Sequence, residues 1–173
     1  GRCGGSPRAR VHLDHGYRGG SRSFDNDNTG ATLSWTNEVV CQGSHALAVT
    51  PSGKAAETKV ALPFSGDKVQ LWQAAKFLVV SFYLAPECEL IPNMFFLGMA
   101  DVTKDWAWVD GIFAKAEVKA GWNQISYPLS QARRKVDAAH KYKIYLALAV
   151  QGGGNKTPLV DRFYLDGVYG TQE

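Results

Sequence analysis

Alternation of apolar and polar residues along the chain predicts an all-β protein. In residues 58–64, valine, leucine and phenylalanine alternate with lysine and alanine. This two-residue period is typical of a strand with one buried face. Residues 77–84 and 94–100 are apolar on both faces, as expected of central strands between two layers.

Ten such segments are predicted as strands: 17–24, 32–40, 44–50, 58–64, 77–84, 94–100, 111–118, 124–129, 143–150 and 160–169. Only residues 130–140 favour a helix, because Ser130 can cap it and good helix formers follow. Strands of this length, separated by turns about every ten residues, indicate an antiparallel β-sandwich of two stacked sheets. We therefore predict a jelly roll.

Composition divides the chain into a tail and a domain. Five arginines against one aspartate lie within residues 1–22, so the basic charge of the chain comes from its first residues. We expect a flexible basic, glycine-rich tail or linker over 1–20 and a single domain over 21–173. Basic residues are dispersed elsewhere, which disfavours nucleic-acid binding, and no apolar run approaches the ~18 residues of a membrane span.

The motifs that are missing exclude several enzyme classes. The sequence contains no Cys-x-x-Cys, no Gly-x-Ser-x-Gly, no phosphate-binding loop and no His-Glu-x-x-His. Cys3, Cys41 and Cys88 are expected to be free thiols, although a bridge between the last two stays open. A small jelly-roll glycosidase or polysaccharide lyase is an alternative, since Asp101, Asp105 and Asp110 surround two tryptophans. The favoured interpretation is that these carboxylates solubilise loops or accept hydrogen bonds from sugar hydroxyls.

The two tryptophans of this region are the main candidates for ligand binding. Trp106 and Trp108 are two residues apart, so in an extended strand both indoles would project from one face. An exposed indole offers a flat apolar surface with an N–H at its edge, which suits the face and the hydroxyls of a sugar ring. Trp72 lies near two glutamines, another context typical of a sugar subsite. The candidates for binding hydroxyls are Gln70, Gln73, Asp101, Lys104 and Gln151.

A calcium site is also predicted. Residues 25–28 are rich in the oxygen ligands that calcium prefers. An EF-hand is excluded, because the twelfth position from Asp25 is Thr36 and not glutamate. The ligands would instead come from distant segments, with Asp25, Ser44 and Asp166 as candidates. Asp166 interrupts an apolar strand, where a carboxylate must be paired, hydrogen-bonded or bound to metal.

Three segments, taken in order, resemble jelly-roll carbohydrate-binding modules. Residues 43–49 are similar to the "G-S-x-A-L-x-V" strand of these modules, and residues 121–123 followed by 128–130 to their "G-W-N … L-S" turn and strand. Residues 163–168 resemble their closing "h-Y-h-D-x-V" strand. The length and the paired tryptophans are most similar to the mannan-binding modules attached to β-mannanases.

This resemblance implies a concave β-sandwich that binds internal stretches of β-1,4-mannan through a few tryptophans and carries a structural calcium. It places the calcium ligands at Asp166 and at Asp25 or Asp27. We therefore expect a non-catalytic module of a secreted, multidomain glycoside hydrolase, acting outside the cell as a monomer. Its partner would be a soluble plant cell-wall polysaccharide, with β-mannan or glucomannan favoured and other β-glucans possible. A galactose-binding-like sandwich that contacts another protein remains an alternative.

Overall fold

A computed structural model describes residues 10–12, 24–40, 45–88, 92–129, 135–152, 155–159 and 161–171. Within these residues the strands form two antiparallel sheets, which confirms the predicted β-sandwich. The elements are β1 (Arg10–His12), β2 (Thr32–Thr36), β3 (Ala46–Thr50), β4 (Thr58–Ser65), α1 (Asp67–Ala74), β5 (Phe77–Leu84), β6 (Met94–Asp101), β7 (Ala107–Glu117), β8 (Gly121–Pro128), β9 (Lys141–Gly152), β10 (Asn155–Thr157) and β11 (Phe163–Thr171).

The strands of the first sheet lie in the order β2-β3-β11-β5-β8, and β1 pairs with the far end of β11. In the second sheet the order is β10-β9-β6-β7, and β4 lies beside β9 on the same side as β10. Neighbouring strands therefore come from distant parts of the chain. The second sheet is the one that positions the candidate site.

The core lies between the inner faces of the two sheets. Alternate residues of β4, β6 and β9 are buried, and three of them, Leu62, Leu97 and Ile144, are at most 2% exposed. Phe82 of the first sheet stacks on Phe95 of the second, with ring centroids 5.4 Å apart. Full burial of one such side chain stabilises the fold by about 1.5–3 kcal/mol, so this layer holds the sheets together. It also leaves the other residues of each strand on the outer faces.

The structure corrects the helix prediction. Residues 130–134 lie outside the described residues, and residues 135–140 form no α-helix. The α-helix of the described residues is α1, which follows Gly66, a glycine with a left-handed φ of 62°. Val69 and Trp72, three positions apart on α1, are both buried. This i, i+3 spacing is the helical signal that the sequence analysis missed.

The beginning of the chain also differs from expectation. Arg10–His12, inside the predicted tail, form β1 and pair with Tyr169, Gly170 and Thr171 of β11. Of the first predicted strand, 17–24, only Phe24 is described, and it is buried in the core. Among the described residues, no helix is long and apolar enough to cross a membrane.

Candidate functional site

The candidate site is the outer face of the second sheet. Trp106 is 51% exposed and Trp108 is 69% exposed, and they are the large hydrophobic side chains left exposed in the described part of the chain. Trp108 lies on β7, whereas Trp106 lies in the turn between β6 and β7. Two exposed indoles close together in the chain make this surface the candidate binding site.

The Trp108 indole lies close above Gly98 of β6, where the absence of a side chain leaves room for it. A Cβ atom at Gly98 would lie 3.0 Å from Cζ3 of the indole. On the other side, Tyr145 of β9 meets the indole edge-on, with ring centroids 5.6 Å apart. Gly98 and Tyr145 are register partners on β6 and β9. The glycine therefore provides the space and the tyrosine the lateral support that orient Trp108.

Trp106 is held in an unusual backbone conformation. Asp105 and Trp106 have φ values of 53° and 62°, and Ala107 N–H donates a hydrogen bond to the Lys104 carbonyl at 3.2 Å. Two left-handed central residues are the pattern of a type I′ hairpin turn, which favours asparagine and glycine. A tryptophan at this position destabilises the turn, because its Cβ atom is crowded in the left-handed conformation. Backbone strain of this kind clusters at binding sites, which makes the exposed Trp106 indole a candidate ligand contact.

A charged pair lies next to Trp106. The Lys143 ammonium is 5.6 Å from the centre of the Trp106 ring and 2.9 Å from Oδ2 of Asp25. Asp25 is fixed at the edge of the sheet, where its backbone exchanges two hydrogen bonds with Ala61 of β4. Lys143 precedes Tyr145 by two residues, so both project from the same face of β9. The pair therefore adds a fixed cation and a fixed anion to the face that carries the tryptophans.

Tyr145 contributes a neutral hydroxyl to this face. Burial raises the pKa of the phenol, and the nearby Asp27 and Asp25 carboxylates raise it further, against the opposing effect of Lys143. The group is therefore protonated at neutral pH and can both donate and accept a hydrogen bond.

Asp101 anchors the hairpin from inside the protein. It is 5% exposed, its Oδ2 lies 2.7 Å from His140 Nδ1, and its Oδ1 accepts the Lys104 N–H. Burial alone would raise the pKa of this carboxyl, but the bonds from His140 and from the Lys104 and Thr103 N–H groups hold the pKa below its usual value. The sequence analysis placed Asp101 among the groups that bind hydroxyls, which is wrong because its oxygens are buried and already bonded.

Two of the predicted contacts on α1 are instead engaged inside the protein. Trp72 was expected to stack on a sugar, but it is fully buried and stacks on Phe64 with ring centroids 5.4 Å apart. That prediction is wrong, because the tryptophan belongs to the core side of the helix. Gln73 donates from Nε2 to the Val136 carbonyl at 2.9 Å and so ties α1 to the segment before β9. Gln70 is exposed on the same helix.

The remaining predicted residues have mixed outcomes. Lys104 has an exposed side chain in the turn beside Trp106, where it can reach a ligand. Gln151 belongs to β9, but its side chain is outside the described residues. The carboxylates considered for catalysis do not form a described pair: Asp101 is buried, Asp105 is exposed at the turn, and the side chain of Asp110 is not described.

The predicted calcium ligands are only partly described. Ser44 lies outside the described residues, and Asp166 is fully buried in β11. Asp25 is paired with Lys143, while Asp27 approaches Lys59 at 3.8 Å. Among the described residues, no group of three or more histidine, cysteine, aspartate or glutamate side chains could hold a metal. Calcium binding therefore stays a prediction. Cys88 carries a free thiol, and Cys41 is outside the described residues.

Three residues of the site were not found from the sequence: Gly98, Lys143 and Tyr145. A signal for two of them was available, since residues 143–150 were predicted as a strand. The apolar residues at 144, 146 and 148 put the side chains of 143 and 145 on the opposite face. Their nearness to the tryptophans depends on the pairing of β6 with both β7 and β9, which has no local signal.

Comparison with known proteins supports the fold assignment. No protein-family model and no curated protein matches the chain. Solved structures do match. A structure concerned with the promiscuous specificity of β-sandwich carbohydrate-binding modules is 16% identical, with a TM-score of 0.57 over 95% of this chain, which spans 63% of that structure.

Two further structures match over nearly their whole lengths. The mannan-recognising module TmCBM27 is 16% identical, with a TM-score of 0.52 and coverage of 92% of this chain and 93% of that one. A family 11 module from Clostridium thermocellum, in complex with a β-1,3-1,4-mixed-linked tetrasaccharide, is 11% identical, with a TM-score of 0.55 and coverage of 95% and 96%. At these identities the likeness shows a shared fold, that of the modules which the sequence resembles.

Proposed function

We propose that this chain is a non-catalytic carbohydrate-binding module for internal stretches of a β-1,4-linked plant cell-wall polysaccharide. β-Mannan or glucomannan is favoured, in keeping with the resemblance and with the mannan-recognising neighbour. The observation that carries the proposal is the pair of exposed indoles, Trp106 and Trp108, on the outer face of one sheet. An open face, unlike an enclosed pocket, leaves a polymer free to continue in both directions.

Each part of this face has a physical role. Trp108 presents an apolar platform on which the C–H face of a pyranose ring can stack, and Trp106 presents a second one at the turn. Stacking on one aromatic side chain is worth about 1–3 kcal/mol in the related case of nucleic-acid bases. The Tyr145 hydroxyl, the Lys143 ammonium and the exposed Asp25 carboxylate can exchange hydrogen bonds with sugar hydroxyls. Because Gly98 and Tyr145 fix Trp108 in advance, binding loses less side-chain entropy.

The proposal extends to the setting of the module. We infer that it belongs to a secreted enzyme and brings an attached glycoside hydrolase to its polysaccharide, as the resemblance implies. A structural calcium that involves Asp166 is part of the same proposal. Such an ion would stabilise the fold and leave the sugar-binding face unchanged.

Affinity electrophoresis against a panel of soluble polysaccharides tests the proposal. The panel contains galactomannan, glucomannan, xyloglucan, mixed-linkage β-glucan and xylan, and each gel carries wild type and Trp106→Ala. We expect at least one β-linked polysaccharide to retard the wild type, and the variant to be retarded less. Release of reducing ends from the same polysaccharides is measured in parallel, and none is expected.

Two outcomes would contradict the proposal. Retardation by none of the glycans would favour a sandwich that contacts another protein. Turnover of a polysaccharide that retards the protein would favour the glycosidase or lyase alternative instead.

A further inference from the structure

A second feature lies at the turn end of the candidate site. A depression of about 320 Å³ is lined by Lys68 of α1, by Lys141 and Lys143 of β9, and by the Trp106 indole. Its other walls are the end of β4 and Val102. We call this depression the lysine pocket. No acidic residue lines it among the described residues, so three lysines from two elements line one concave space.

The charge in the lysine pocket is only partly neutralised. Lys143 is paired with Asp25 at 2.9 Å. Lys68 and Lys141 make no ion pair in the part of the chain that the structure describes. The backbone of Lys141 is fixed, because its N–H donates to Thr103 Oγ1 at 2.9 Å and its carbonyl accepts from Val102. Two lysines without an ion pair among the described residues therefore line the same depression as the Trp106 ring.

The lysine pocket is continuous with the candidate sugar-binding face. Trp106 lines the pocket and also lies 5.6 Å from the Lys143 ammonium. Two residues further along the same face of β9, Tyr145 contacts Trp108. A polysaccharide that stacks on both indoles would thus carry one of its sugar units to the edge of the pocket.

We propose that the lysine pocket binds an anionic group, a carboxylate or a sulfate, carried by the polysaccharide on the tryptophan face. The inference rests on the proposed function and adds to it: among polysaccharides that stack on the tryptophan face, those that carry an acidic substituent would bind more tightly than their neutral counterparts. Lysine ammonium groups are compact point charges on flexible stems, so they suit either anion without a fixed geometry. A neutral polymer would leave Lys68 and Lys141 without a partner.

Isothermal titration calorimetry with the whole chain tests this proposal. The ligands are two matched pairs: glucuronoxylan with its carboxyl-reduced form, and a chemically sulfated glucomannan with the unsulfated polymer. Glucomannan serves as a neutral reference for the tryptophan face. The variant is Lys68→Gln/Lys141→Gln. The matched control, Lys54→Gln/Lys119→Gln, removes the same charge from two exposed lysines beyond the opposite end of the second sheet.

We expect the wild type to bind one charged polymer about three- to tenfold more tightly than its neutralised form, which corresponds to about 0.3–0.7 kcal/mol for each of two exposed charge interactions. The difference should disappear in the pocket variant, persist in the control and shrink in 0.5 M salt. The charged polymer that is preferred identifies the anion. The affinity for glucomannan should be the same in all three proteins.

Two results would overturn the proposal. One is equal binding of the charged and neutralised forms by the wild type, with glucomannan still bound, which leaves the proposed function intact. The other is a preference for charge that survives in Lys68→Gln/Lys141→Gln. If no polysaccharide binds at all, both this inference and the proposed function fail.

Discussion

The Trp108 indole lies directly over Gly98, so close that a Cβ atom there would be 3.0 Å from its Cζ3. Gly98 has no left-handed φ that would require a glycine. What the position requires is space above the sheet. The orientation of the most exposed aromatic side chain in the described chain thus depends on the absence of a side chain on the neighbouring strand.

Gly98→Ala should therefore weaken ligand binding without unfolding the protein. The added methyl group displaces an exposed indole, which can move at little cost, and alanine is no worse than glycine in a strand. We expect the polysaccharide to bind about three- to tenfold more weakly, because one stacking contact is partly lost. Calorimetry measures the affinity and thermal unfolding the stability. An unchanged Kd would show that Trp108 is not positioned by this contact.

The hairpin turn predicts opposite effects on stability and binding. Trp106→Gly removes the strain of a left-handed residue with a side chain, which is about 1–2 kcal/mol. It also loses the contact of the Trp106 ring with Lys143, but an exposed cation–π contact is worth only about 0.5–1 kcal/mol. The variant should thus unfold at a higher temperature and bind polysaccharide more weakly. Asp105→Gly is the matched control, because it relieves the adjacent left-handed residue and keeps the indole. It should gain stability and bind as wild type does. Equal loss of binding in both variants would point to the turn backbone and not to the indole.

The Asp101–His140 contact predicts how stability depends on pH. The pKa of Asp101 is lower in the folded chain than its ordinary value. Its bonds therefore stabilise the fold above the ordinary aspartate pKa of about 4, and this contribution is lost as the pH falls through the folded-state pKa. Asp101→Asn should lower the free energy of unfolding by about 2 kcal/mol at pH 7. The free energy of unfolding of this variant should also fall less steeply as the pH is lowered.

Asp105→Asn is the control for that experiment, since it removes the same charge from the exposed turn. Urea unfolding between pH 3 and pH 7 compares the two variants with wild type. If the free energy of unfolding fell with pH in the same way for wild type and for Asp101→Asn, the role assigned to the buried carboxylate would be contradicted.

Calcium binding predicts a change in stability alone. If the ion is held near Asp166, calcium in place of a chelator should raise the unfolding temperature of the wild type by linkage. It should not change the polysaccharide affinity. Asp166→Asn should abolish the shift. An unfolding temperature that is the same with calcium and with chelator would refute the calcium prediction.

The sequence predicted features with a local period and missed those that depend on tertiary pairing. Strand β4 was predicted almost to the residue because its side chains alternate between core and solvent. Trp72 was assigned to the wrong environment because its flanking glutamines suggested exposure, while its helical spacing from Val69 places it in the core. Asp101 was assigned to the ligand because its partner His140 is 39 positions away. Gly98 and Tyr145 join Trp108 only through strand pairing.

Calorimetric titration of Trp108→Ala with the polysaccharide that retards the wild type most tests the central claim directly. Trp122→Ala is the control, because Trp122 belongs to β8 in the other sheet. Loss of the Trp108 platform should cost about 1–3 kcal/mol, which is roughly five- to 150-fold in Kd. Trp122→Ala should keep the wild-type affinity as long as it is folded. Wild-type affinity in folded Trp108→Ala would contradict the claim that this face binds the polysaccharide.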